Sequence, residues 1–196
     1  LIIGGGAIDD ALANELKDFP NQVWSTYGMT ETLSHIALRR LNGTDASDWY
    51  TPFDNVRIRL SEEGTLIIHA PNVCAEELIT NDIAEINEEG KFRILGRKDN
   101  TINSGGVKIQ IEQVESRLRK HLDTPFLISA RQDAKFGEIV VLIYNKVGNE
   151  DDIRRVCESE LPTYWVPKAY IAVDELPMTG TGKPDRASAR RIANSQ

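Results

Sequence analysis

Cysteine, histidine and unbroken apolar runs are all scarce in this chain. Its two cysteines, Cys74 and Cys157, stand far apart, with no CxxC pair and no histidine at ligand spacing. That argues against a zinc site or a disulfide framework and fits a reducing cytoplasm. No apolar run reaches the roughly 20 residues that cross a bilayer as a helix, and nothing at the start has the form of a signal peptide. Basic residues are outnumbered, 23 Lys and Arg against 30 Asp and Glu for a net charge of -7, so no nucleic-acid partner is expected. The sequence also lacks a polar beginning. It opens on Leu1-Ile2-Ile3 and three glycines, which reads as the end of a buried strand entering a tight turn. The expectation is a fragment whose earlier strands belong to a missing N-terminal portion.

What is present suffices for at least one core: 196 residues, 40% hydrophobic and 27% charged. Ile8, Leu12, Leu16 and Phe19 recur at helical spacing before Pro20, with Asp9 and Asp10 at the end where the helix dipole favours negative charge. An extended stretch around Val23 and Trp24 follows, and the segment from about 33 to 49 is too mixed to assign. Two alternating runs, Val56 to Leu60 and Thr65 to His69, flank a turn at Ser61 to Gly64. Ile83 to Ile86 and Phe92 to Leu95 flank a second turn, so a small antiparallel sheet is expected between about 51 and 95. The polar stretch from Gly96 to Gly106 reads as a hinge and loop. Beyond it lie a helix at about 111 to 122, strands near 125 to 131 and 138 to 146, and a helix near 151 to 160. A strand near 169 to 173 and a polar helix after Pro184 complete an α+β order.

Four short segments have the composition of a phosphate or nucleotide site, each weak alone. Gly4-Gly5-Gly6 lies between a strand and a helix, where missing side chains let a ligand approach the backbone, although a structural turn explains three glycines as well. Tyr27-Gly28-Met29-Thr30-Glu31-Thr32 offers an aromatic plane, two hydroxyls and a carboxylate able to hold Mg²⁺; its bland reading is a polar turn. Gly96-Arg97-Lys98-Asp99 precedes Ser104-Gly105-Gly106-Val107-Lys108. Thr179-Gly180-Thr181-Gly182-Lys183 presents a lysine that could neutralise charge developing in adenylyl transfer, or simply be solvated. His69, His121 and the three tryptophans, Trp24, Trp49 and Trp165, read as structural.

Taken in order, YGMTET, Thr80-Asn81-Asp82, GRKD, SGGVKI and TGTGK resemble successive signature motifs of the adenylate-forming superfamily: acyl-CoA synthetases, peptide-synthetase adenylation domains and luciferases. The resemblance covers essentially the whole chain. It implies that residues 1–96 are the last part of a large AMP-binding domain, mixed α/β with a small antiparallel sheet. Residues 97–196 would then be a small mobile α+β domain with its hinge near Asp99. Carried over motif by motif, Gly5 and Gly6 would line the acyl and adenine pocket, Tyr27 would stack on adenine and Thr30 would meet phosphate. Glu31 would hold Mg²⁺, and Asp82 would bind the ribose hydroxyls with Arg97 assisting. Lys183 would reach the carboxylate and α-phosphate during adenylation. Gly105 and Gly106 would then leave room for the pantetheine arm of CoA.

Within the superfamily, the glycine-rich opening, the compact segment from 50 to 95 and YGMTETLSH resemble the o-succinylbenzoate-CoA ligases of menaquinone biosynthesis. Ser34 would lie near the substrate carboxylate. ATP, Mg²⁺, CoA and a carboxylic acid are the implied ligands. Asn81 departs from the usual TGD, a change that the ribose contact through Asp82 should survive. The upstream Ser/Thr/Gly-rich phosphate loop is missing, so residues 1–196 alone are expected to bind nucleotide weakly without turnover. Two other enzyme readings stay open, a different acyl-CoA synthetase and an amino-acid-activating domain, both separable by product analysis with CoA. A nucleotide-binding module without catalysis is the alternative from another class; Glu31, Asp82, Arg97 and Lys183 together argue against it.

Overall fold

Alternating apolar residues build most of the structure, a computed structural model that describes residues 1–5, 8 and 10–195. The chain divides into two units, Leu1–Lys98 and Asp99–Gln196.

The first unit holds two sheets. Strands β1 (Ile2–Ile3), β2 (Trp24–Gly28), β3 (His35–Arg40) and β4 (Thr51–Pro52) form one in that order, with β1 parallel to β2 and the others antiparallel. Helix α1 (Asp10–Leu16) links β1 to β2 and ends short of the expected Pro20. Strands β5 (Arg57–Leu60), β6 (Thr65–His69), β7 (Leu78–Ile86) and β8 (Phe92–Arg97) form an antiparallel meander. Both expected hairpins are present. Strand β7 begins earlier than the alternation suggested, so Thr80-Asn81-Asp82 lies within a strand. Leu66, Ile68, Ala84 and Phe92 from the meander meet Ile36, Ala37 and Tyr50 in one core. A backbone bridge between Tyr50 and Phe92, with N–H to carbonyl distances of 2.7 and 3.0 Å, ties the two sheets together.

Glycine-rich turning brings the second unit back on itself at once. The polar stretch read as a loop contains a 3₁₀ turn (Lys98–Asn100) and then a hairpin, β9 (Thr101–Ser104) and β10 (Val107–Gln110). Its apolar alternation, Ile102 with Val107 and Ile109, is short and flanked by polar residues, which hid it. Helix α2 (Ile111–Leu118), strands β11 (Phe126–Asp133) and β12 (Gly137–Asn145), helix α3 (Glu150–Glu160), strand β13 (Ala169–Val173) and helix α4 (Arg186–Asn194) follow. The sheet order is β10-β9-β12-β11 with β13 parallel on β12. Strand β12 is covered on both faces, which explains its nearly unbroken apolar run. Val140, Leu142 and Tyr144 join the core that contains α2 and α3 residues, while Ile139, Val141 and Ile143 pack with Ala189 and Ala193 of α4. Asn149 caps α3 by accepting the Asp151 and Asp152 N–H groups at 2.9 and 3.3 Å. The architecture is α+β, with small sheets and no closed barrel among the described residues.

Candidate active site

Strand β2 ends in the YGMTET segment, and the backbone there is shaped by two close approaches. A Cβ on Gly28 would sit 2.5 Å from the Ser34 carbonyl oxygen, so no other residue fits beside that chain. Gly4 is crowded by a side chain instead, since a Cβ there would lie 2.5 Å from Thr26 Oγ1. The sequence reading favoured Gly5 and Gly6. Gly5 has φ +91, which calls for glycine on conformational grounds, but open space surrounds an added Cβ; Gly6 lies outside the described residues.

A short 3₁₀ turn (Thr30–Thr32) follows Gly28. Buried Thr32 holds it: Oγ1 accepts the Met29 N–H at 3.0 Å and lies 3.0 Å from Met29 O and 2.7 Å from Ser34 O, one of which takes its proton. Leu33 then adopts φ +56, a conformation that L residues enter at a cost, with its side chain 83% exposed. Thr30, Glu31 and Ser34 all face solvent around this turn.

Three motifs far apart in sequence converge beside it. The Tyr27 ring packs edge-on against Phe92, 5.1 Å between centroids, and tilted against Tyr50 at 5.8 Å. Its hydroxyl donates to Asp82 Oδ2 at 2.5 Å. Arg97 reaches Asp82 Oδ1 at 3.5 Å, the two being paired across β7 and β8. Thr80 steadies this acid: its hydroxyl donates to Leu66 O at 2.8 Å and accepts the Asp82 N–H at 3.1 Å. The Asp82 side chain is 15% exposed, enough to offer an oxygen outward while its orientation stays fixed. Burial first, and then the negative charge of Asp82, push the Tyr27 hydroxyl far above the ordinary phenol range, so it remains a donor. The sequence reading assigned Tyr27 an aromatic surface and missed its hydroxyl, whose partner lies in another motif.

In the second unit, the remaining motif residues sit on turns. Gly105 and Gly106 make the β9–β10 turn with φ +57 and +85. The Gly105 N–H donates to Phe136 O at 2.8 Å, and a Cβ on Gly105 would approach the Phe136 ring to 3.3 Å. Gly106 borders open space. Lys183 closes a small ring: Thr179 N–H donates to Lys183 O at 2.7 Å, Gly182 N–H to Thr179 O at 2.9 Å, and Lys183 N–H to Thr179 Oγ1 at 3.1 Å. Asp99 is exposed in the 3₁₀ turn where the second unit begins.

His121 lies 3.3 Å from Glu160, and Trp24, Trp49 and Trp165 lie under Arg40, Arg93 and Arg117 respectively. Among the described residues, no cluster of three or more His, Cys, Asp or Glu is arranged to hold a metal, and no helix is long and apolar enough to cross a membrane.

Residues 127–183 match the AMP-binding enzyme C-terminal domain, and the chain as a whole is similar to the C-terminal half of adenylate-forming ligases. Among its relatives is 2-succinylbenzoate–CoA ligase of Bacillus mycoides (strain KBAB4), 28% identical over 98% of this chain and 46% of that protein. The chain thus spans about half the length of the curated relatives it matches. An acyl-CoA synthetase (AMP-forming)/AMP-acid ligase II-like protein from Dyadobacter fermentans DSM 18053 is 33% identical, with a TM-score of 0.52, over 95% of this chain and 55% of that one. The o-succinylbenzoate CoA synthetase (MenE) of Bacillus subtilis, solved with the acyl-adenylate intermediate OSB-AMP, shares the fold. Its TM-score is 0.78 at 24% identity, over 96% of this chain and 45% of that one.

Proposed function

We propose that the chain is the C-terminal half of an ATP-dependent acid–CoA ligase, and that its acid is o-succinylbenzoate. The convergence of Tyr27, Asp82 and Arg97 from three separate motifs carries the reading, because folding alone asks for no tyrosine–carboxylate–arginine chain at a solvent boundary. The names of the curated relatives support the choice of acid. The cytoplasm, with its ATP and CoA and its reducing conditions, is the proposed location.

In the first half-reaction, an oxygen of the substrate carboxylate attacks the α-phosphorus of ATP, forming a P–O bond as the bond to pyrophosphate breaks. Asp82 accepts the ribose hydroxyls, held in place by Tyr27, Thr80 and Arg97, and the Tyr27 ring borders the adenine. Thr30 donates to phosphate. Lys183 neutralises charge on the carboxylate and α-phosphate oxygens as they come together. Glu31, a single exposed carboxylate, suits Mg²⁺, which is commonly held by one or two acids together with substrate phosphates. That ion would neutralise phosphate charge.

In the second half-reaction, the CoA sulfur, having lost its proton, attacks the acyl carbon; the C–S bond forms and AMP leaves with its oxygen. Gly105 and Gly106 leave the passage for the pantetheine arm. Asp99 is the proposed hinge between the two uses of the second unit. Ser34, exposed beside the Thr30–Thr32 turn, is the proposed contact to the acid.

The test is pyrophosphate release by the full-length enzyme with ATP, Mg²⁺ and a panel of acids, followed by CoA and mass detection of the thioester. Preference for o-succinylbenzoate with a CoA product is expected. Turnover of another acid only would overturn the substrate, and no adenylation of any acid would overturn the ligase reading. Ser34→Ala should raise KM for o-succinylbenzoate; an unchanged KM removes Ser34 from the acid site.

A further inference from the structure

Among the described residues of the second unit, Glu115 on α2 is the buried charged residue, with 1% of its surface exposed. Both carboxylate oxygens are occupied. Oε1 accepts the Ile128 N–H at 2.9 Å and Arg186 Nη1 at 2.6 Å; Oε2 accepts Arg186 Nη2 at 2.9 Å and Arg119 Nη2 at 3.0 Å. Arg186 thereby grips the carboxylate with both arms of its fork, and its Nη1 also lies 3.3 Å from the Ile128 carbonyl. An ion pair buried this way is a poor source of net stability, since desolvation offsets much of the attraction. What it supplies is a fixed geometry.

The geometry it fixes leads to Lys183. Arg186 is the first residue of α4, three positions after Lys183. Between them, Asp185 caps the helix by accepting the Ser188 N–H at 3.0 Å, and its own N–H donates to Pro177 O at 2.9 Å. Pro184 is bridged to Met178. The Thr179–Lys183 ring is therefore seated on the start of α4, and that start is seated on Glu115.

We infer that Glu115 and Arg186 are a positioning pair for Lys183, setting where its ammonium group can stand during adenylyl transfer. The inference rests on the proposed role of Lys183, and the pair acts through that residue without touching substrate. Lysine at 186 would keep the charge and lose the fork, and glutamine at 115 would keep the shape and lose the charge.

The test uses Glu115→Gln and the milder Arg186→Lys in the full-length enzyme. Adenylation turnover should fall on the order of 10- to 100-fold, the size expected when a charged group is misplaced by about 1 Å. KM for ATP and thioester formation from supplied acyl-adenylate should stay unchanged. In a Lys183→Ala background, Glu115→Gln should cost adenylation nothing more, because both changes remove the same contribution. Amide hydrogen exchange gives a readout independent of activity: the Gly182, Lys183 and Asp185 amides should exchange faster, with β12 and the β11 amides other than Ile128, which donates to Glu115 itself, unaltered. Equal loss in both half-reactions, additive loss with Lys183→Ala, or unchanged exchange around Lys183 would overturn the inference. If the unaltered enzyme adenylates no acid, the ligase reading fails by itself, and the exchange experiment still decides whether the pair holds the loop. If Glu115→Gln does not fold, Arg186→Lys carries every arm of the test.

Discussion

The two units carry their candidate residues in opposite ways. In the first, Tyr27 and Arg97 each reach Asp82 from their own strands, Thr80 steadies Asp82, and Phe92 and Tyr50 pack against Tyr27. In the second, Gly105, Gly106 and Lys183 stand on turns whose backbones are bonded, two of them without side chains and the third exposed. Under the proposed ligase reading, nucleotide contacts used on every turnover gain from fixed side chains, and groups used in only one half-reaction gain from standing on turns. Changes in the first unit should therefore appear in binding, and changes in the second in rate.

Phe92→Ala is the harshest challenge to that contrast. Phe92 is fully buried, packs against Tyr27 and Tyr50, and bridges the two sheets, so its truncation should destabilise the first unit by about 3–5 kcal/mol and weaken nucleotide binding with it. Chemical denaturation and nucleotide titration would measure both. Lys183→Ala should cut adenylation by about 10²–10³-fold, as the loss of a transition-state charge partner does, while thioester formation from supplied acyl-adenylate continues. Equal loss in both half-reactions would erase the distinction between the units. Asp82→Asn should weaken ATP binding by about 1.5–3 kcal/mol, the range for a hydrogen bond to a charged group, with the adenylation rate at saturating ATP largely kept. A rate effect with unchanged binding would contradict the proposed ribose contact.

Tyr27→Phe should be smaller, about 0.5–1.5 kcal/mol in nucleotide binding, because Thr80 still holds Asp82. Since burial and Asp82 raise the Tyr27 phenol far above its ordinary range, binding of nucleotide should show no step near pH 10 from this group. The smallest effect concerns thiols: burial pushes Cys157 up to about 11, and its accessible surface is nil. At pH 8 it stays protonated and shielded, and a thiol reagent should label Cys74 alone until the protein is denatured. Rapid labelling of Cys157 in the folded state would show that α3 opens readily.

Much of the fold was legible because its strands carry clear apolar patterns. The β5–β6 hairpin shows alternation on either side of its turn, while the paired β11 and β12 were legible as short, nearly unbroken apolar runs with a polar turn between them. Strand β3 was not legible. Arg39 and Arg40 gave it a surface character, yet their guanidinium groups lie 5.2 Å from the Tyr50 ring and 5.3 Å from the Trp24 ring. The candidate site was legible residue by residue through motif order, and illegible as an arrangement. The Tyr27–Asp82 bond depends on how two sheets dock, and Gly4 matters only because Thr26 stands against it. Glu115 did leave a signal: it sits among Ile111, Val114 and Leu118 on the buried stripe of α2, where a charge needs an enclosed partner. No local rule could name Arg186 as that partner.

The Tyr50–Phe92 bridge sets the size of the smallest transplantable piece. Tyr27 leans on both of its residues, Asp82 arrives from β7 and Arg97 from β8, so the cluster has no shorter excerpt than the span from β2 through β8. A designer grafting this site onto another scaffold would have to move both sheets as one block. By the same logic, an evolutionary insertion is best tolerated in the turns at 61–64 and 87–91, where length can change without disturbing that block.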